Sequence, residues 1–315
     1  MRTPPTDLAE SDVLAVVRAG WAPAAATATY LPVGFGSHHW AVTGPDGDRW
    51  FVSADEVREP GAHETLVAAF AVAAAARSCG VDGAHGPVPA ANGDLVVVVG
   101  RWAVSVQSWL DGAVGRFGDR WSGHDASALV RLLGGLHGTP PRGAPVEDPR
   151  VLGRQALESA LTATAAGRGL GSGPLAGAVD ALLARFGPAV RDAFRDLDAS
   201  GPPDPERLVV THGEPHPGNV VRAASGPVLV DWDTARLAEP ERDLWLVAAR
   251  TSVDVVGLYG RLTGRSVDPA RMRARGLRWA LVDVASFVPS LLAATVEDDD
   301  TAWQLEALTG VLESL

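Results

Sequence analysis

Hydrophobic and polar positions change rhythm near residue 107 of this chain. Before it, short apolar runs alternate with turn residues: Leu31-Pro32-Val33 leads into Gly34-Phe35-Gly36-Ser37, then Trp40-Ala41-Val42, Pro45-Asp46-Gly47-Asp48 and Trp50-Phe51-Val52-Ser53. That rhythm predicts antiparallel strands. Leu95–Val99 and Trp102–Val106 read as two more, and only 7–19 and 62–78 read as helices in this part. Beyond Gln107-Ser108-Trp109-Leu110-Asp111-Gly112 the apolar positions recur at helical spacing. Helices are predicted over 125–137, 151–166, 174–197, 240–250, 253–263, 269–292 and 301–314. Two short strands interrupt them, Leu208-Val209-Val210 and Val228-Leu229-Val230, expected to place the side-chain oxygens that follow them side by side at a sheet end. The pattern predicts an α+β chain: a small β-rich lobe over 1–106, a connector over 107–112 and a larger helical lobe over 113–315.

The 315 residues are 46% hydrophobic and 21% charged, a globular composition. No unbroken apolar run reaches the roughly 18–20 residues of a bilayer span, so no membrane partner is expected. Asp7, Glu10 and Asp12 stand where a signal peptide would be basic, and the lone Cys79 forms no internal disulfide; a cytoplasmic location is expected. The net charge of −11 argues against a nucleic-acid partner and suits a cationic small molecule. All 27 basic residues are arginines, because the chain contains no lysine.

Candidate chemistry concentrates in Thr211-His212-Gly213-Glu214-Pro215-His216-Pro217-Gly218-Asn219 and in Asp231-Trp232-Asp233. A carboxamide and a carboxylate carried at strand ends suit one hard cation and a nucleoside triphosphate. These stretches resemble the catalytic loop and metal-binding aspartate of the aminoglycoside phosphotransferases and choline-kinase-like enzymes. The resemblance implies a bilobal protein-kinase-like fold, with a small antiparallel sheet in the N-terminal lobe and the catalytic loop and acceptor site in the helical lobe. It implies that Asn219 and Asp231 hold Mg²⁺, that ATP or GTP is the phosphoryl donor, and that the carboxylate at 214 accepts or orients the acceptor hydroxyl. His212, His216 and Asp243 of Glu239-Pro240-Glu241-Arg242-Asp243-Leu244-Trp245 are then structural supports. Asp233 is either a second metal contact or a loop hydrogen-bond acceptor.

Two departures stand out. Glu214 occupies the place of an aspartate. Ser53 occupies the place of the lysine that meets the nucleotide phosphates, leaving Glu64 an ordinary helix N-terminal acid. Arg49, Arg58 and Arg77 are the nearby cations that could substitute. Gly34, Gly36 and Ser37, followed by His38 and His39, could instead supply backbone N–H groups and imidazoles. Gln107 to Leu110, with Trp109, is the expected hinge against the purine.

On the acceptor side, Trp279, Asp283 and Phe287 share one face of the helix over 269–292, either core or a surface for a cationic or polyhydroxylated ligand. Trp232 and Trp245 are candidate pocket walls. Glu297-Asp298-Asp299-Asp300 reads as a helix cap. The expected activity is O-phosphorylation of an aminoglycoside-like antibiotic, amino alcohol or related metabolite. A catalytically silent ligand-binding protein and a nucleotidyl transferase are the alternatives.

Overall fold

Polar and apolar residues alternate along the strands between 27 and 108, and this alternation gives one antiparallel sheet two different faces. The structure, a computed structural model, describes residues 3–34, 36–57 and 60–315. The sheet has five strands, β1 (Thr27–Leu31), β2 (His38–Thr43), β3 (Arg49–Glu56), β4 (Val97–Val99) and β5 (Trp102–Ser108), in the order β1-β2-β3-β5-β4. Successive side chains point to opposite faces. On one face Trp40, Val42, Val52, Ala54, Val104 and Val106 pack with Val13 and Val17 of helix α1 (Glu10–Gly20). Fully burying an aliphatic side chain such as Val13 contributes about 1.5–3 kcal/mol. The register His39↔Ser53↔Ser105 and Phe51↔Gln107 places the polar residues together on the other face.

Helix α2 (Ala62–Ser78) follows β3, with Glu64 exposed in its first turn as an ordinary N-terminal acid. The connector runs into β6 (Ala113–Val114) and α3 (Gly123–His137). The two apolar runs around 209 and 229 form β7 (Val209–Thr211) and β9 (Gly226–Leu229), but they do not pair. The chain between them holds a further strand, β8 (Val220–Ala223), which turns straight back onto β9 in a three-stranded sheet ordered β6-β8-β9. With that partner taken, β7 pairs with β10 (Arg236–Ala238). Helices α6 (Glu241–Ala248) and α7 (Val255–Thr263) come next.

These elements belong to one compact unit, Met1–Glu147 with Asp204–Ser266. The connector over 107–112 lies inside it rather than at its edge. The second unit, Asp148–Pro203 with Val267–Leu315, is helical: α4 (Arg154–Ala165), α5 (Ala176–Ala199), α8 (Pro269–Ala293) and α9 (Asp299–Ser314). Leu157, Leu161, Leu183, Val190, Leu281, Val284, Val288, Leu291 and Leu308 form its core. By length and composition α8 is apolar enough to cross a membrane, but its buried stripe builds this core. The acidic run before α9 is a cap: Asp298 accepts from the Thr301 N–H at 2.8 Å and Thr301 Oγ1 answers to Asp298 N at 2.8 Å.

Candidate active site

The loop after β7 is held by a buried polar network. Asp243 on α6 accepts from the backbone N–H of His212 at 2.9 Å and of Gly213 at 2.6 Å. Its Oδ2 also receives His137 Nε2 at 3.0 Å, and His137 Nδ1 meets the Tyr259 hydroxyl at 2.9 Å. Burial opposes ionisation of Asp243, but the His137 hydrogen bond and nearby positive charge outweigh it and hold the carboxyl below its ordinary range. Burial pushes the Tyr259 phenol up to about 12.

His212 is itself buried. Its Nε2 donates to the Val230 carbonyl at 2.8 Å, and its Nδ1 accepts the Glu214 N–H at 3.3 Å. The ring stands edge-on to Trp232, 4.8 Å away, and burial lowers its pKa to about 4, so it is neutral at pH 7. Gly213 has φ +101°, and a Cβ there would collide with the Arg242 guanidinium. Arg242 uses that space to reach Thr211 Oγ1 at 3.0 Å, the Thr234 carbonyl at 2.8 Å and Glu147 at 3.0 Å. His216 is also a brace: Nδ1 accepts the Gly218 N–H at 3.1 Å, Phe117 packs edge-on at 4.8 Å, and burial lowers its pKa to about 4. His212, His216 and Asp243 therefore act through the loop, and Arg242, His137 and Thr234 join them as residues that the sequence did not single out.

This bracing brings Asn219 beside Asp231. The Val230 N–H donates to the Asn219 carbonyl at 3.1 Å, tying the end of the loop to the residue preceding Asp231. The Asn219 carboxamide is buried and has no protein hydrogen-bond partner among the described residues. Asp231 is the only non-glycine described residue with positive φ, +66°. Such a conformation costs of order 1 kcal/mol or more and tends to cluster at functional sites. Its side chain reaches the surface yet is closely surrounded by protein. Loss of hydration, then the charges of Asp233, Glu214 and Asp55, raise its pKa. The Asp231 and Asp233 carboxyl groups share a hydrogen bond, and burial raises Asp233 against the pull of Arg236 and Arg242. A carboxamide in want of a partner beside mutually repelling carboxylates is a donor set that fits a hard divalent cation. Among the described residues no three His, Cys, Asp or Glu side chains form a metal cage by themselves.

The polar face of β3 belongs to the same unit. His39 Nδ1 and Ser53 Oγ lie 3.1 Å apart, and the His39 ring stacks at 33° over Phe51, 5.0 Å away. Burial lowers the His39 pKa to about 4. His38 points the other way, against Tyr30, Trp40 and Trp102, so strand alternation leaves only one of the two imidazoles on this face. Gly34 and Gly36 have φ of +71° and +92° and carry Ser37 over the end of β3, where its hydroxyl donates to Asp55. Phe35 lies outside the described residues.

Two of the three candidate substitute cations are engaged elsewhere. Arg49 stacks 3.9 Å over Trp109 and pairs with Asp111, and Arg77 ends α2, where its charge acts on His85. Arg58 lies outside the described residues. At the hinge, Gln107 is buried; the Ser108 carbonyl faces His85 Nε2 at 2.9 Å, and the Trp109 N–H donates to the Arg49 carbonyl at 3.1 Å. Two backbone groups offered by the sequence to a purine are thus engaged within the chain.

Trp232 is fully buried with its indole N–H on the Leu229 carbonyl at 3.1 Å, so it is core and lines no pocket. Trp245 is half-buried on α6. In the second unit, Trp279 donates to Asp283 one turn along α8, and burial raises the Asp283 pKa to about 6. Phe287 is buried core against Trp303, 6.1 Å away, the core alternative of the two that the sequence left open for it.

A sequence model described as the phosphotransferase enzyme family matches residues 27–303. No curated protein matches. Among solved structures, a spectinomycin phosphotransferase in complex with ADP and spectinomycin superposes with a TM-score of 0.77 at 14% identity, covering 97% of each chain. The amicoumacin kinase hAmiN, in complex with AMP-PNP, Ca²⁺ and its ligand, gives 0.62 at 13%, covering 97% of this chain and 93% of the other. The choline kinase LicA from Streptococcus pneumoniae gives 0.58 at 12%, covering 97% and 99%. At these identities the likeness establishes the kinase-like fold.

Proposed function

The chain belongs to the phosphotransferase enzyme family, and on that premise we propose that it moves the terminal phosphoryl group of ATP or GTP, with Mg²⁺, onto a hydroxyl of a small molecule. The observation that carries this reading is the backbone hydrogen bond that ties Asn219 to Val230, the residue before Asp231, with only acids acting on the Asp231 carboxyl. Asn219 and Asp231 are the residues to hold the metal, which when bound neutralises triphosphate charge. Asp233, tied to Asp231, orients that carboxylate. Glu214, whose backbone is fixed on His212, holds or accepts the proton of the attacking hydroxyl; its extra methylene seats the acceptor slightly further from the loop than an aspartate would. Gly34, Gly36 and Ser37 cover the phosphates, and Gln107 and Trp109 border the purine.

The structural neighbours guide the choice of acceptors. Spectinomycin, aminoglycosides, amicoumacin, macrolides and choline form the panel to incubate with ATP or GTP and Mg²⁺, followed by mass spectrometry. A gain of one phosphoryl group on any acceptor is the expected result. A gain of a nucleotide would replace this reading with nucleotidyl transfer. Ser53, engaged with His39, favours a second reading in which nucleotide binds without turnover; binding of Mg²⁺–nucleotide with no product across the panel would support it.

A further inference from the structure

Asp55 is a buried acid without a role in the account above. It lies two residues beyond Ser53 and therefore on the same face of β3. Oδ1 accepts the Ser37 hydroxyl. Oδ2 is sealed from solvent and has no hydrogen-bond partner among the described residues. The charges that act on Asp55 and Asp231 are those of other acids; Asp55 feels Asp233, and Asp231 feels Asp233, Glu214 and Asp55. Among the described residues the neighbouring cation, Arg101, pairs with Glu56, which alternation turns to the opposite face. Strand β3 thus offers the site an incompletely partnered carboxylate where a phosphate-binding surface needs positive charge.

We propose that Asp55 ligates a divalent cation additional to the one held by Asn219 and Asp231, and that this ion supplies the phosphate-facing charge that Ser53 lacks. The inference rests on the nucleotide-site reading given above. An oxygen-only donor facing further carboxylates suits Mg²⁺ or Mn²⁺, which are bound by one or two carboxylates together with phosphate oxygens and water. Because the described residues form no protein cage by themselves, the ion enters with the nucleotide. Ser37, on a loop whose glycines at 34 and 36 have positive φ, is the described partner that Asp55 must share or release.

The test counts Mn²⁺ ions per bound nucleotide by electron paramagnetic resonance, with non-hydrolysable ATP and GTP analogues, in the wild type and in Asp55→Asn. Asparagine keeps the size of the side chain and an acceptor for Ser37, and thermal melts confirm folding. Asp55→Asn should bind one Mn²⁺ fewer per nucleotide and bind the nucleotide on the order of 10–100-fold more weakly. Adding Ser53→Lys to Asp55→Asn should restore affinity without restoring the ion. An unchanged Mn²⁺ count in Asp55→Asn overturns this inference and leaves the proposed activity standing. A wild type that binds no Mn²⁺–nucleotide overturns both.

Discussion

Asp243 and Asp55 are aspartates of the same compact unit with oxygens withdrawn from water, and their surroundings differ in kind. Asp243 accepts from two backbone N–H groups and from His137, and its carboxyl is held below the ordinary range. Among the described residues Asp55 has the Ser37 hydroxyl alone, and burial with the charge of Asp233 pushes its pKa up to about 7. One acid is satisfied by the fold and so stabilises it. The other is left wanting by the fold, which is how a protein keeps binding capacity in reserve. The loop after β7 is therefore braced on both sides, whereas Asp55 on β3 keeps an oxygen that no described residue satisfies.

The largest effect should come from removing the satisfied acid. Asp243→Ala strands the N–H groups of His212 and Gly213 and unpairs His137, and should lower unfolding stability by about 3–5 kcal/mol. Urea unfolding at pH 7 measures it, and a loss below about 1 kcal/mol would show that the network is not a brace. Next, Asp231→Asn should cut phosphoryl transfer on the order of 10²–10³-fold while the melt stays near wild type, as expected for an electrostatic group at the reacting phosphate. Normal turnover in that variant would remove Asp231 from the site.

Asp55 should respond in the opposite sense to Asp243. Its folded pKa of about 7 lies above the unfolded value of 3.8, so in metal-free protein its penalty grows as pH rises between them. Asp55→Asn should therefore raise metal-free stability at pH 8, by as much as about 4 kcal/mol, and lose that advantage near pH 4. Melts of both proteins across that range decide it; a destabilised variant at pH 8 would make Asp55 a structural acid like Asp243. A smaller effect concerns the buried imidazoles. His39, His212 and His216 have folded pKa values of about 4 against 6.5, so the unfolded chain takes up protons first on acidification. Their contribution is fully present above pH 6.5 and fades as pH falls toward 4, which acid titration of the melting temperature should reveal.

The sequence carried the element pattern because helical and strand periodicity are local signals. Ala62–Ser78 was legible from its composition and α8 from the spacing of its apolar positions, and the motif singled out Asn219 and Asp231 as candidate ligands. Pairing was not: β7 and β9 each end near a candidate ligand, but β8, too short and polar at Arg222 to stand out, claims β9 first. Trp232 looked like a pocket wall because of its place between two aspartates, yet its indole closes on Leu229 in the core. Arg49 was near the site in sequence but is drawn to Trp109 and Asp111. Asp55 could have been found, since period-two alternation from Ser53 puts it on the same face. Its missing partner is a tertiary fact.

Titration calorimetry of ATP and GTP, with and without Mg²⁺, on the wild type and Asp231→Asn addresses the metal-dependent nucleotide site without intermediaries. Binding should require Mg²⁺ in the wild type and weaken sharply in the variant. Equal affinity in all four conditions, or none in any, would contradict a metal held by Asn219 and Asp231.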